Sequence, residues 1–475
     1  MESNVFMEAV DLCRNDQGIA AMSDDAYLYI GERRGRVSRE IDITPDANGR
    51  PQYEYTEDRK QKNFDREAQD WLKTTLLDVL QNTTLAAPQR ARRIYKQKGT
   101  NGILTEVRRI DSDYVRKFYL LELLRQEEFS QEETGRVLAS FGRLIDSDYE
   151  KAELLIEASD LLERYPDLTT EYVEAVQSID SDYEMRRALS EIHIPQANFA
   201  PTVAAILDAT EYLESDYEKA ELLISLASYA QESEALQKAY VTSLRDISSD
   251  YEKRRTLDAF SDRRKLDPEV AAMVLEMARD ISSDYERAEL LINRSRDWRD
   301  EPALQISVLR AADDLSSDYE TRRVLSELDL SCESDQQTLD AYFGIIHRLS
   351  SDYESAEMLV DWAECAAVSP AVRGRYLTVL NTLSSDYDKK RVLFEVLAVD
   401  HPSDTLFADL IPCVDRISSD YDKREILQKL IRQYRGNRSI EDRLLQSIDN
   451  IDSDYERGTL LDELVGKGSR RRYRE

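Results

Sequence analysis

A five-residue phrase, Ile-Ser-Ser-Asp-Tyr at Ile247–Tyr251, returns with small changes along most of the chain and limits its fold more than any other feature. Its tyrosines are Tyr114, Tyr149, Tyr183, Tyr217, Tyr251, Tyr285, Tyr319, Tyr353, Tyr387, Tyr421 and Tyr455, spaced by 35 residues once and by 34 thereafter. A period of that size, held for eleven units, predicts a solenoid of stacked supersecondary units rather than one globular core.

The phrase reads as a helix start. In Ser249-Asp250-Tyr251-Glu252 the serine hydroxyl can accept from the backbone N–H three residues on, while the glutamate reaches back to the serine N–H, which is a capping box. Asp250, in the first turn, also faces the positive end of the helix dipole. Glu or Asp fills the third helical position in every unit except the first, where Val115 stands. The residue before the serine varies (Asp111, Glu214, Ser248), whereas the serine does not. That comparison within the chain makes the expected caps Ser112, Ser147, Ser181, Ser215, Ser249, Ser283, Ser317, Ser351, Ser385, Ser419 and Ser453.

Six places after every tyrosine stands a leucine, from Leu120 to Leu461, so the first helix carries an apolar stripe that needs a neighbour. A second cap then starts a return helix, as at Asp267-Pro268-Glu269, Ser369-Pro370 and Ser130-Gln131-Glu132-Glu133. The expected fold is mainly α: an α-solenoid of eleven helical hairpins of about 34 residues, HEAT- or TPR-like in build, behind a small N-terminal β-meander and helix. The period equals that of tetratricopeptide repeats, but their Trp, Leu-Gly and Pro pattern is missing. Helix spacings of roughly 10 Å predict a rod or superhelix on the order of 100 Å long.

The tyrosines admit two readings, an exposed recognition ladder or rings packed in the seam between units with their hydroxyls at the wet edge. Their recurrence through the terminal units, with the leucine beside them, favours packing. Tyr149, Tyr183, Tyr217, Tyr251 and Tyr285 are therefore expected to pack together with Leu155, Leu189, Leu223, Leu257 and Leu291. A binding face is expected to vary between units. This points to the second helices and the loops before them, such as Arg294–Glu301 and Ser331–Asp335.

A two-unit alternation overlies the period. Three and four places after the tyrosine, alternate units carry Ala-Glu (Glu153, Glu221, Glu289, Glu357) and a pair of bases (ending in Arg187, Arg255, Arg323, Arg391). Stacking should set acid against base, giving an inter-unit charge ladder whose rungs contribute at most ~1 kcal/mol each. The alternation fails at both ends, with Phe118 in the first unit and Gly458-Thr459 in the last, as a capped array requires.

Residues 1–25 show no clear period and are left unassigned. Residues 26–62 read as a β-meander of three strands (Ala26–Ile30, Val37–Ile43, Gln52–Thr56), with turns at Arg34-Gly35 and Asn48-Gly49. Residues 63–110 form a helical adaptor, with an amphipathic helix over Phe64–Leu80 and a helix pair broken at Gly99-Thr-Asn-Gly102. The solenoid spans 111–468, and 469–475 form a basic tail expected to be disordered. The strand pair at Tyr27–Ile43, the helix with Trp71-Leu72, and Ile110-Asp-Ser-Asp-Tyr114 leading to Tyr119-Leu120 resemble a group of bacterial proteins. In that group similar modules can follow a membrane metallopeptidase domain of the beta-lactam-sensor type. The resemblance covers residues 26–120 and the repeat phrase, and it implies bacterial origin and a sensing or docking role. The peptidase's membrane helices and HExxH are absent from this sequence, so no proteolytic activity carries over.

The net charge of −31 favours solubility and argues against a nucleic-acid ligand. Cys13, Cys332, Cys365 and Cys413 form no CxxC pair and read as ordinary reduced thiols. No apolar run reaches membrane-spanning length, and Met1-Glu2-Ser3 does not resemble a signal peptide. The expected location is cytoplasmic; a fragment of a cell-envelope protein would show the same features.

Chemistry is sparsely signalled. His193, His347 and His401 lie in different units without a second ligand at metal spacing, and no nucleophile motif, phosphate loop or dinucleotide fingerprint occurs. Asp146-Ser-Asp148-Tyr-Glu150 alternates oxygen ligands, but the first acid becomes serine in most units and the EF-hand glycine and final glutamate are missing. Capping explains every member of the phrase. The expectation is no catalytic residue, no metal and no cofactor, and a protein-binding scaffold with an acidic surface for a basic or mixed protein partner. The alternatives are a sensor or regulatory partner of a protease and a nucleic-acid mimic that sequesters a DNA-binding protein.

Overall fold

A computed structural model describes residues 2–6, 10–13, 16–126, 130–260, 266–298, 301–399, 403–433 and 436–472. The chain divides into two compact units, Met1–Glu232 and Ser233–Glu475, so the unit boundary falls inside the repeat region, between the two helices of the fourth repeat. The chain is an α-solenoid of tandem helical hairpins with a small N-terminal sheet.

The first unit opens with strands β1 (Glu2–Phe6), β2 (Val10–Leu12), β3 (Ile19–Met22), β4 (Tyr27–Arg34), β5 (Val37–Pro45), β6 (Pro51–Glu57) and β7 (Lys60–Lys62). Five form an antiparallel sheet in the order β1-β4-β5-β6-β7, and β2 pairs with β3. The three-strand meander is thus the middle of a wider sheet, and the stretch left unassigned supplies an edge strand and a hairpin. Period-two alternation buries Leu28, Ile30, Ile41 and Ile43 on one face. That face meets Trp71, Leu72, Leu76, Val79 and Leu80 of α1 (Arg66–Asn82) in one core. The helix begins at Arg66, two residues after the expected Phe64 start, and is capped by Asp65, which accepts from the N–H groups of Glu67 and Ala68. The turn between β6 and β7 holds Asp58 and Arg59 at positive φ, the geometry a two-residue hairpin favours.

Helix α2 (Ala87–Val107) is broken at Gly99, whose φ of 64° lies outside the helical region. The adaptor is tied to the first repeat by a buried cation. Arg90 reaches Asp16 at 2.9 Å, Glu106 at 2.5 Å and the Tyr119 hydroxyl at 2.8 Å, and Gln81 donates to the same Glu106 oxygen at 3.0 Å.

In both units the first helices pack on first helices one repeat away, and second helices on second helices. In the first unit the first helices are Asp113–Leu124, Asp148–Ala158, Asp182–Ser190 and Asp216–Ala230. The second unit repeats the theme from Asp250–Phe260 onward. The leucine six places after each tyrosine is buried from Leu120 to Leu427, while Leu461 in the last repeat is only half-buried. That last helix runs from Asp454 to Arg472, so the start of the expected disordered tail continues a helix; residues 473–475 lie outside the described residues.

Candidate interaction surface

The phrase does start the first helices. The serine hydroxyl accepts from the N–H three residues on at 3.2–3.5 Å in ten repeats, from Ser147 to Ser453. Ser112 makes no such bond. The reciprocal half of the box is replaced by a bond between repeats. The aspartate after each serine accepts from the backbone N–H of the next repeat's serine: Asp113 from Ser147 (2.7 Å), Asp148 from Ser181 (2.9 Å) and Asp182 from Ser215 (2.6 Å) in the first unit. In the second, Asp250, Asp284, Asp318, Asp352, Asp386 and Asp420 serve Ser283, Ser317, Ser351, Ser385, Ser419 and Ser453 at 2.7–2.9 Å. Each of these nine aspartates therefore joins one helix start to the next within its unit, a role the dipole argument alone did not supply.

The glutamate at the third helical position turns to a base instead. Glu150 pairs with Lys117 (2.7 Å), Glu218 with Arg186 (2.7 Å), and Glu286 and Glu354 with Arg254 and Arg322. The charge ladder is present within each unit: Glu153 meets Arg187, Glu289 meets Arg323 at 2.6 Å and Glu357 meets Arg391. Glu221 and Arg255 belong to different units, and Arg255 pairs with Glu252 of its own helix at 2.8 Å. Within the units, the double-base repeats at Arg186-Arg187, Arg322-Arg323 and Lys390-Arg391 thus hold the following repeat with the first base and the preceding one with the second. A further cation sits two places after the tyrosine. Lys151 donates to the Ser178 carbonyl at 2.9 Å, and Arg287 to that of Ile281, which satisfies the chain end of a second helix. Lys or Arg holds this place in most repeats, a pattern visible in the sequence once the repeats are registered by their tyrosines.

The tyrosines are not packed in the seam. All eleven are exposed, from 50% at Tyr114 to 79% at Tyr455, which overturns the packing role expected for Tyr149, Tyr183, Tyr217, Tyr251 and Tyr285. The second helical position of an N-capped helix points away from the stripe that carries the leucine, so the leucine is buried and the ring is left outside. Bases lie over several rings: Arg186 over Tyr183 (5.1 Å), Arg187 over Tyr149 (5.4 Å), Arg254 over Tyr251 (5.4 Å) and Arg322 over Tyr319 (5.4 Å).

The loops expected to vary for binding are structural. Arg294 is buried, paired with buried Asp297 at 2.6 Å and donating to the Leu257 carbonyl at 3.0 Å; residues 299–300 lie outside the described residues. The Ser331–Asp335 loop is tied down by a disulfide from Cys332 to Cys365, with Cα atoms 5.3 Å apart. That corrects the reading of these two cysteines as reduced thiols: their separation of 33 residues is close to one repeat, and stacking brings such positions side by side. Cys13 and Cys413 are free thiols, and burial pushes Cys413 up to about 11.

His193 lies 2.9 Å from Glu163, His347 is exposed, and His401 lies outside the described residues. Among the described residues no group of His, Cys, Asp and Glu could hold a metal ion, and no helix is long and apolar enough to cross a membrane. Two concavities in the second unit hold about 210 Å³, beside Arg310 and Arg348, and about 250 Å³, beside Trp362 and Cys365. Both fall below the ~300–1,000 Å³ usual for small-molecule sites.

The fold and its surface define a helical tandem-repeat protein. No protein-family model matches the sequence, and no curated protein matches it. Among solved structures, a "Circular tandem repeat protein with novel repeat topology and enhanced subunit contact surfaces" matches at 13% identity over 85% of this chain and 86% of that one, with a TM-score of 0.13. At that score the match carries no argument, and the fold rests on the helices described above.

Proposed function

We propose that this chain is a non-enzymatic protein-binding scaffold whose contact surface is the tyrosine edge running along the first-helix starts of each unit. The observation that carries this reading is the division of labour inside the phrase. Serine caps, aspartate bridges to the next repeat and glutamate takes a base, while the tyrosine ring remains at least half exposed in every repeat. Tyrosine offers large, rigid, amphipathic contact area, which suits protein recognition. The acidic balance of −31 favours a basic or mixed partner. Affinity capture from the native host with the full chain as bait, followed by mass spectrometry, tests the reading. A partner held at physiological salt and lost when exposed tyrosines are replaced by serine supports it; capture of nothing beyond the background of a charge-matched control protein removes it.

A further inference from the structure

The tyrosine edge differs in one chemical respect between the two units. In the first, each tyrosine is preceded three places earlier by an exposed carboxylate: Asp111 before Tyr114, Asp146 before Tyr149, Asp180 before Tyr183 and Glu214 before Tyr217. In the second unit that place is serine from Ser248 to Ser418, and becomes acidic again only at Asp452. These outer acids are not the ones that build the stack. Asp113, Asp148 and Asp182 are committed to the next serine N–H, and Glu150 and Glu218 to Lys117 and Arg186. The Asp146 side chain is 90% exposed, with Arg116 3.6 Å away.

We propose that the first unit's tyrosine edge binds an extended, cationic segment of a partner protein that carries a lysine or arginine at every third residue. The assignment rests on the scaffold reading and adds the partner's chemistry and the unit that takes it. Each half-exposed ring stands three residues after an exposed carboxylate. Although Lys117, Arg187 and Arg186 of this chain already lie over Tyr114, Tyr149 and Tyr183, the remaining ring face can give one partner ammonium or guanidinium a cation–π contact while the carboxylate gives it an ion pair. The pitch of the partner follows from the stack. Helices packed side by side lie about 8–10 Å apart, and three residues of polyproline-type chain advance about 9 Å. A basic residue at every third position therefore meets one rung per repeat, with the intervening residues facing away. The chain's net charge of −31 adds long-range attraction for such a segment and disfavours a polyanion.

The test uses the full chain and two labelled synthetic peptides of the same composition, read by fluorescence anisotropy. One has four Arg-Pro-Pro triplets; the other has its arginines in one block followed by its prolines. The expected result is about tenfold tighter binding of the triplet peptide. The paired variants Tyr149→Ser/Tyr183→Ser and Asp146→Asn/Asp180→Asn should each weaken it by about tenfold or more, with helical content unchanged by circular dichroism. Val368→Ser, at an exposed position away from the edge, should bind as the wild type does. Equal binding of the two peptides, or undiminished binding by both paired variants, overturns the assignment. If the partner found by affinity capture is held equally by these variants but lost when second-unit tyrosines are replaced, the scaffold reading stands and this assignment falls. If the triplet peptide behaves as expected and no partner is captured, the scaffold reading is the one that fails.

Discussion

The Oδ2 atom of Asp113 accepts from the backbone N–H of Ser147 at 2.7 Å, so a side chain in one repeat completes the helix start of the next. Because the same bond recurs through each unit, the helix cap and the repeat interface are a single polar structure. A repeat that loses its aspartate loses its grip on its neighbour, and the neighbour loses part of its helix cap.

Asp352 gives the most direct test of that coupling. It accepts from the backbone N–H groups of Ser384 and Ser385 at 2.9 and 2.7 Å. Burial pushes its carboxyl up, but the Ser384 hydroxyl and these N–H groups outweigh burial and hold it below the ordinary value. A depressed carboxyl contributes stability that is present above the unfolded-state value of ~4 and is lost as pH falls through the folded value. Asp352→Asn should cost about 1.5–3 kcal/mol at neutral pH, and the gap from wild type in urea midpoints should close as the pH is lowered below the carboxylate range. A gap that persists in acid would show that the charge is not the source.

For the charge ladder, the contact to test is Glu153 with Arg187, which are both partly buried. Reversing either charge alone should destabilise, and reversing both should restore most of the loss, with a coupling energy of about 0.5–1 kcal/mol. Strict additivity in denaturant melts of the double-mutant cycle would mean that the two do not interact.

Tyr319 and Leu325 occupy the same helix with opposite fates, the ring 52% exposed and the leucine 1%. Leu325→Ala should cost about 2–5 kcal/mol. Tyr319→Ala should cost no more than ~1 kcal/mol, the scale of an exposed cation–π contact with Arg322. Equal losses in thermal melts would return the tyrosine to a packing role.

Arg90 is the point at which the N-terminal module meets the first repeat. Arg90→Met leaves Asp16 and Glu106 without their shared cation, and breaking such a buried pair costs about 3–5 kcal/mol. Hydrogen exchange should show the loss concentrated in the sheet, α1, α2 and the helix Asp113–Leu124. Uniform protection matching the wild type would contradict the docking role.

The disulfide predicts a thiol count. Without reductant the folded chain should offer Cys13 to a thiol reagent, should release Cys413 only on unfolding, and should withhold Cys332 and Cys365. Closing a loop of 33 residues stabilises by roughly 3–4 kcal/mol in the chain-entropy account, so Cys332→Ser should lower the melting temperature without reductant and match the wild type with it. Four reactive thiols on denaturation without reductant would show that the bond is absent.

The parts legible in advance were those governed by short-range chemistry. Ser147 and Asp148 announce a helix start because the acceptor and the N–H it serves are three residues apart. Leu155 announces a buried stripe because helical periodicity puts it on one face. Gly35 and Gly49 mark turns because each adopts positive φ where the chain must reverse. The edge strand β7 was invisible for the converse reason: its residues, Lys60-Gln61-Lys62, are exposed and carry no apolar pattern.

The amino-acid sequence by itself determined the period, the caps, the buried leucines and the helical-repeat class, since each depends on neighbours within one or two turns. Only tertiary structure decided which way the tyrosines face, that Asp113 reaches Ser147, that Arg90 gathers Asp16, Glu106 and Tyr119, and that Cys332 meets Cys365. These contacts join residues as many as 74 positions apart. They follow from the rotation and offset with which one helix lies against the next, and a repeat length gives the succession of helices without that angle.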